Sequence, residues 1–197
     1  MNMEQLGEKI GFLALLLTAL SLGTSPHPVA LILCYLIHEL GHLTLARLMG
    51  AEMKGLKLGL CHLSLSYNSA CLSYPRELLV QCGGIIFNFI SGLLVYLLPF
   101  LSGDVYDFFV VGSFSLGVMN LLPVSILDGG GILRSLLSML MSPVWAERLS
   151  FYASFSVSLL MWLVAVYLQI IFASNLSFFF ISVLLLVELC FSLDKKN

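Results

Sequence analysis

Charge is what this chain has least of. Asp, Glu, Lys and Arg make up 10% of its 197 residues, where a soluble domain of this length carries about 25%. With 59% hydrophobic residues and a mean hydropathy of +1.02, a water-facing surface is excluded and an integral multi-pass membrane protein is expected. Basic tracts are missing too, and the formal net charge is −2, so nothing favours nucleic acid as a partner. CxxC pairs are absent among Cys34, Cys61, Cys71, Cys82 and Cys190, several of which sit in or beside apolar runs. That excludes a disulfide framework and leaves the cysteines as packing residues. A chain of this length holds about six spans of roughly 20 residues with short loops. A single membrane domain over residues 1–197, with no appended soluble domain, is the expectation.

Taken in order, the chain reads as an all-α polytopic membrane protein with a small membrane-associated β-hairpin between its second and third spans. A polar head, Met1 to Lys9, precedes an apolar run from Ile10 to Leu22, read as an uncleaved first span rather than a secretory signal because no A-x-A site follows it. The second span covers about Pro28 to Met49. From Gly55 to Tyr67 apolar and small or polar residues alternate at period two, which predicts strand. Asn68-Ser69-Ala70 is expected to turn the chain into a second short strand, Cys71 to Tyr74. The third span, about Glu77 to Leu98, carries Gly83-Gly84, a mark of close helix packing, and Asn88, a mark of an interhelical hydrogen bond. The fourth starts near Val105 and is broken by Pro123 and by Gly129-Gly130-Gly131, so irregular backbone is expected around Asp128, with helix resuming at Ile132. The fifth and sixth, about Leu149 to Phe172 and Leu176 to Phe191, are uniformly apolar.

The basic residues agree with six spans. Lys9, Arg47, Lys54, Lys57, Arg76, Arg134, Arg148, Lys195 and Lys196 all fall on one side of that map, and the loops near Ser25, Ser102 and Ser174 on the other side have none. By the positive-inside rule both termini face the cytoplasm, with a bacterial cell membrane the expected setting. The map also brings the inner half of the second span and the region of Asp128 to similar depth.

One stretch of the second span stands out. His38-Glu39-Leu40-Gly41-His42 lies between long apolar runs, where charge is costly and rarely present without a task. Residues four apart stack on one helix face, so both imidazoles can reach one ion, with Glu39 about 100° around the helix. This is the spacing of a zinc site with an adjacent general base. Two imidazoles and a third ligand leave a position for water, whose proton Glu39 can take. In a soluble helix the same pattern is often an exposed charged face. A bilayer removes that reading.

A catalytic zinc needs a third protein ligand. After Glu39, Asp128 and Glu188 are the carboxylates lying well within apolar stretches. Glu188 is near the end of the last span, where it can snorkel to water. Asp128 sits at the right depth beside a broken helix, where it can also cap the resumed helix. His62, in an alternating strand with no partner at ligand spacing, reads as a surface residue.

His38-Glu39-Leu40-Gly41-His42, followed by Asn120-Leu121-Leu122-Pro123-Val124-Ser125-Ile126-Leu127-Asp128-Gly129-Gly130, resembles the two signatures of the site-2 protease family of intramembrane zinc metalloproteases. The likeness spans about residues 28–140. It implies that His38, His42 and Asp128 bind zinc, that Glu39 activates water, and that the substrate is a transmembrane or membrane-associated segment cut within or near the bilayer. Asn88 falls in a region the family associates with substrate binding, Asn120 belongs to the aspartate motif as a supporting or substrate-side residue, and the hairpin resembles the family's membrane-associated strands. Ile85 stands where the family often has Pro, and Gly131 where a basic residue often follows the glycine pair. Neither a PDZ-like nor a cystathionine-synthase-like domain is present in the sequence, so control by a separate regulatory membrane protein, or by substrate availability, is expected.

A substrate strand is expected to pair with the hairpin edge near Leu58 and Gly59, because a helix must unwind before its amides are accessible. Two rivals stay open. A catalytically silent zinc-binding membrane scaffold would be expected to lack Glu39, and a small ion or metal transporter would be expected to show inverted repeats and paired broken helices.

Overall fold

A computed structural model describes residues 27–51, 53–59, 62–67, 72–98, 103–172 and 176–194. The expected polar head and first span lie outside these residues, as do the Asn68-Ser69-Ala70 turn and the basic residues Lys195 and Lys196. The described elements are α1 (His27–Leu48), β1 (Met53–Gly59), β2 (His62–Tyr67), α2 (Tyr74–Tyr96), α3 (Asp104–Asn120), α4 (Asp128–Leu140), α5 (Pro143–Phe172) and α6 (Leu176–Asp194). Among the described residues three helical stretches are long and apolar enough to cross a membrane: Val29–Leu48, Tyr74–Tyr96 and Pro143–Ile171. They leave Ile32, Leu36, Leu40, Ile90, Leu94, Leu160 and Ile170 exposed, an apolar exterior that suits lipid.

Local chemistry explains the boundaries. Gly50 adopts φ 76°, and the amides of Gly50 and Ala51 donate to the carbonyls of Arg47 and Ala46. These two bonds are a Schellman closure of α1, which needs a residue tolerant of the left-handed region. Pro75 at the start of α2 has a φ already suited to a helix, and Ser73 before it is extended at φ −69°, ψ 152°. The strand expected over Cys71 to Tyr74 is therefore corrected: Leu72 and Ser73 are bend and coil, and Tyr74 already belongs to α2.

β1 and β2 pair antiparallel, with Leu58 opposite Leu63 and Gly59 opposite His62. The reversal thus falls between Gly59 and His62, earlier than the sequence pattern suggests. Directly paired residues share a face, and the apolar positions accordingly change from even numbers in β1 (Leu56, Leu58) to odd numbers in β2 (Leu63, Leu65), so the alternation changes phase between the two strands. The register shifts between Met53 and Leu56. β2 lies against α1, and β1 is the outer strand of the pair.

The helices meet through small residues. A Cβ on Gly41 would strike the backbone carbonyl of Gly83, and one on Gly83 would lie 2.6 Å from the Gly41 oxygen. Here α1 and α2 touch backbone to backbone, as membrane helices do where glycines face each other. α3 joins them through Cys34, whose Sγ donates to the Phe109 carbonyl at 3.5 Å and stands 3.2 Å from the fully buried Ser113 Oγ. Much of the interior is small: Ala30, Ala46, Val80, Val124, Ala146 and Ala165 are buried.

The break in the former fourth span is shorter than the sequence suggests. Residues 121–127 are irregular, but α4 begins at Asp128 and takes in all three glycines. Those glycines do not loosen the helix. A Cβ on Gly129 would strike the Leu121 and Leu122 carbonyls, and one on Gly130 the Val124 carbonyl. They allow the helix start to fold onto the loop before it. Ser154 of α5 supports that loop, its hydroxyl shared between the Pro123 carbonyl at 3.1 Å and the Ser150 carbonyl at 2.9 Å.

Candidate metal centre

His38 and His42 project from one face of α1, their ring centroids 4.7 Å apart and their planes nearly perpendicular. His38 is buried and His42 half-buried. Asp128, the first residue of α4, reaches them from across the molecule. Its Oδ2 lies 3.0 Å from His38 Nε2 and 3.1 Å from His42 Nε2. The two Nε2 atoms are themselves 3.1 Å apart, so the three atoms form a nearly equilateral triangle.

The residues fit a zinc ion. With arms of 2.0–2.2 Å, ligand atoms of a tetrahedral site stand about 3.4 Å apart, close to the spacing seen. Asp128 Oδ2 is buried and receives no aligned hydrogen bond despite its two imidazole neighbours. The three ligand atoms stand 3.0 to 3.1 Å from one another, a separation one shared ion can span. Among the described residues His38, His42 and Asp128 form the one His, Cys, Asp or Glu group with this convergence.

α2 backs the site. His42 Nδ1 donates to the Val80 carbonyl at 2.8 Å, so its Nε2 has a free lone pair. A Cβ on Gly84 would lie 2.5 Å from both His38 Cε1 and His42 Nε2, so only glycine lets the imidazoles lie over α2. Asn88 is fully buried, with Nδ2 3.1 Å from His38 Nδ1. Val80, Gly84 and Asn88 are four apart and share one face of α2, matching the four-residue spacing of the histidines.

The other expected residues are placed as follows. Glu39 is half-buried beside the histidines on α1, and Tyr35, one turn earlier, hydrogen-bonds to its side chain. Asn88, expected in a substrate-binding region, is buried against His38. Asn120 ends α3 and donates to its own helix at the Leu116 carbonyl, 3.0 Å away. No hydrogen bond joins it to the triangle. Leu58 and Gly59 close β1, His62 opens β2, and Glu188 lies within α6.

Two features escaped sequence reading. The Val80 carbonyl leaves no trace in a sequence, since every residue has one. Glu77 is buried and accepts from Arg134 Nη2 at 3.3 Å, joining the first turn of α2 to α4. Its position at a span end disguised it. Beside this pair a cavity of about 200 Å³ adjoins Asp128, lined also by Gln81, Ser125, Gly131, Arg134 and Ser150.

The family model described as peptidase family M50 matches residues 102–164, a stretch that holds Asp128 but not the histidine pair. Among solved structures, the site-2 protease from Methanocaldococcus jannaschii has the same fold, with a TM-score of 0.67 and 21% sequence identity over 90% of this chain and 85% of that one. No curated protein matches the sequence.

Proposed function

We propose, for a chain that matches peptidase family M50 and has the fold of a site-2 protease, an intramembrane zinc metalloendopeptidase. Its substrates are transmembrane or membrane-associated segments of other proteins. The observation that carries this reading is the triangle of His38, His42 and Asp128, closed at 3.0 to 3.1 Å by residues ninety positions apart in the chain. The reading includes six spans in a bacterial cell membrane, both termini in the cytoplasm and a hairpin at the membrane surface.

His38 and His42 would hold the ion together with the Asp128 carboxylate. When bound, zinc supplies a Lewis acid that polarises the scissile carbonyl and acidifies a water. Glu39, one position around α1 from His38, accepts the proton from the attacking water and delivers it to the leaving amine. The polar cavity beside Asp128 gives water a route to the site. An unwound substrate strand adds to the free side of β1, near Leu58 and Gly59, so that main-chain hydrogen bonds hold it with little demand on sequence.

The test uses the full chain purified in detergent, a panel of fluorescent transmembrane peptides, and a zinc determination on each preparation. Wild type is expected to hold about one zinc and cleave, and Glu39→Gln to keep its zinc with turnover reduced at least about 100-fold. A Leu58→Pro arm is expected to keep zinc and lose cleavage, and normal turnover there would sink the strand-pairing step. Wild type that binds zinc yet cleaves no member of the panel would favour a silent scaffold. Metal flux into vesicles that survives Glu39→Gln would favour a transporter.

A further inference from the structure

A ring nitrogen that binds a metal must be unprotonated, so the proton of a ligating histidine sits on the other nitrogen and needs an acceptor there. For His42 the acceptor is unambiguous: a backbone carbonyl, that of Val80, can only accept. For His38 the corresponding neighbour is a side-chain amide, which can either donate or accept. The structure turns the amide nitrogen of Asn88 toward His38 Nδ1, at 3.1 Å, and leaves Asn88 Oδ1 buried with no partner. In that orientation Nδ1 is the acceptor and the ring proton is on Nε2, the nitrogen the metal needs. A half-turn of the amide, whose two ends are nearly equal in size, exchanges the roles: Oδ1 accepts from Nδ1, and Nε2 loses its proton.

Resting on the zinc reading above, we infer that Asn88 is a positioning residue for His38, its amide oxygen accepting the Nδ1 proton so that Nε2 is presented to the metal. Three observations support this. Asn88 is fully buried, so nothing from solvent competes for its amide. It shares a face of α2 with Val80 and Gly84, so one helix supplies the acceptor for His42, the clearance under both rings and the acceptor for His38. Its unpartnered oxygen belongs to the same amide whose nitrogen stands 3.1 Å from Nδ1, so turning that amide over brings the acceptor to the nitrogen that needs one. The amide is better suited than a fixed carbonyl, since it can serve His38 with or without an ion by turning over.

The experiment measures zinc affinity by chelator competition on the full-length protein in detergent, for wild type, Asn88→Asp and Asn88→Leu, with the visible spectrum of each cobalt-loaded form. Asn88→Asp keeps an acceptor and is expected to hold zinc within about threefold of wild type. Asn88→Leu keeps the branched shape but not the acceptor and is expected to bind about 10–100-fold more weakly, with a shifted cobalt spectrum. Unfolding of the metal-free proteins serves as the structural control, and Asn88→Ala replaces the leucine variant if that one does not fold. Equal affinity in wild type and Asn88→Leu, or equal losses in Asn88→Leu and Asn88→Asp, overturns the role of Asn88 while leaving the zinc site intact. A wild type that binds no zinc overturns the site itself, and the inference with it.

Discussion

Gly83-Gly84 and Gly129-Gly130 look alike in the sequence, yet they solve different problems. The first pair joins two distant segments. Gly83 lets α2 touch the backbone of α1 at Gly41, and Gly84 leaves room for the His38 and His42 rings. The second pair acts on its own neighbourhood, pressing the start of α4 onto the carbonyls of Leu121, Leu122 and Val124 so that Asp128 is aimed outward from the loop. One pair builds the imidazole half of the triangle and the other its carboxylate half. What an added methyl would meet differs accordingly: backbone that cannot yield around Gly129, side chains that can around Gly84.

Substitution at each pair should separate these roles, and the largest effect is expected at Gly129. In Gly129→Ala the new methyl must displace two carbonyls of the supporting loop, a strain of about 1–3 kcal/mol or more. The metal-free protein should unfold at a clearly lower midpoint, and zinc affinity should fall as Asp128 shifts. Gly84→Ala should divide the two readouts. The imidazoles can swing away at modest cost, so the metal-free protein should unfold near the wild-type midpoint, while zinc affinity drops about 10–100-fold as the rings lose their alignment. If Gly84→Ala destabilised the metal-free protein as much as Gly129→Ala, the contrast between the pairs would fail.

The same contrast explains what the sequence revealed and what it hid. His38, Glu39 and His42 were legible because their spacing matches one helix turn within an apolar run, and Asp128 because a carboxylate at that depth is rare. Asn88 was legible as an interhelical hydrogen bonder, but its partner was not: a sequence shows which residues want a partner and not which helix provides it. The glycines after Asp128 read as helix breakers from propensity alone, whereas close contact with carbonyls keeps them inside α4. Propensity lost to packing there. In the hairpin, alternation revealed strand, and its change of phase, from Leu56 and Leu58 to Leu63 and Leu65, marks where the two strands divide. The Val80 carbonyl and the Glu77–Arg134 pair were invisible for the same reason as Asn88's partner. They are products of how α2 meets α1 and α4.

Gly131 supplies the lower end of the scale. It follows the second pair directly and stands in the same helix, so sequence alone would group it with Gly129 and Gly130. A Cβ there would meet Cδ of the Gln81 side chain at 2.8 Å and its Nε2 at 3.0 Å, the mobile end of a long side chain bordering an open cavity. Gln81 can withdraw into that space by changing rotamer, and alanine gains helix propensity over glycine of up to about 1 kcal/mol. Gly131→Ala is therefore expected to shift unfolding of the metal-free protein by no more than about 0.5–1 kcal/mol, with neutral or slightly stabilising sign, and to leave zinc affinity within about twofold. Both readouts come from the preparations used for Gly84→Ala. A loss in Gly131→Ala comparable to that in Gly129→Ala would mean that the glycine run acts as a unit through helix flexibility, and that contact with the 121–125 carbonyls is not what aims Asp128.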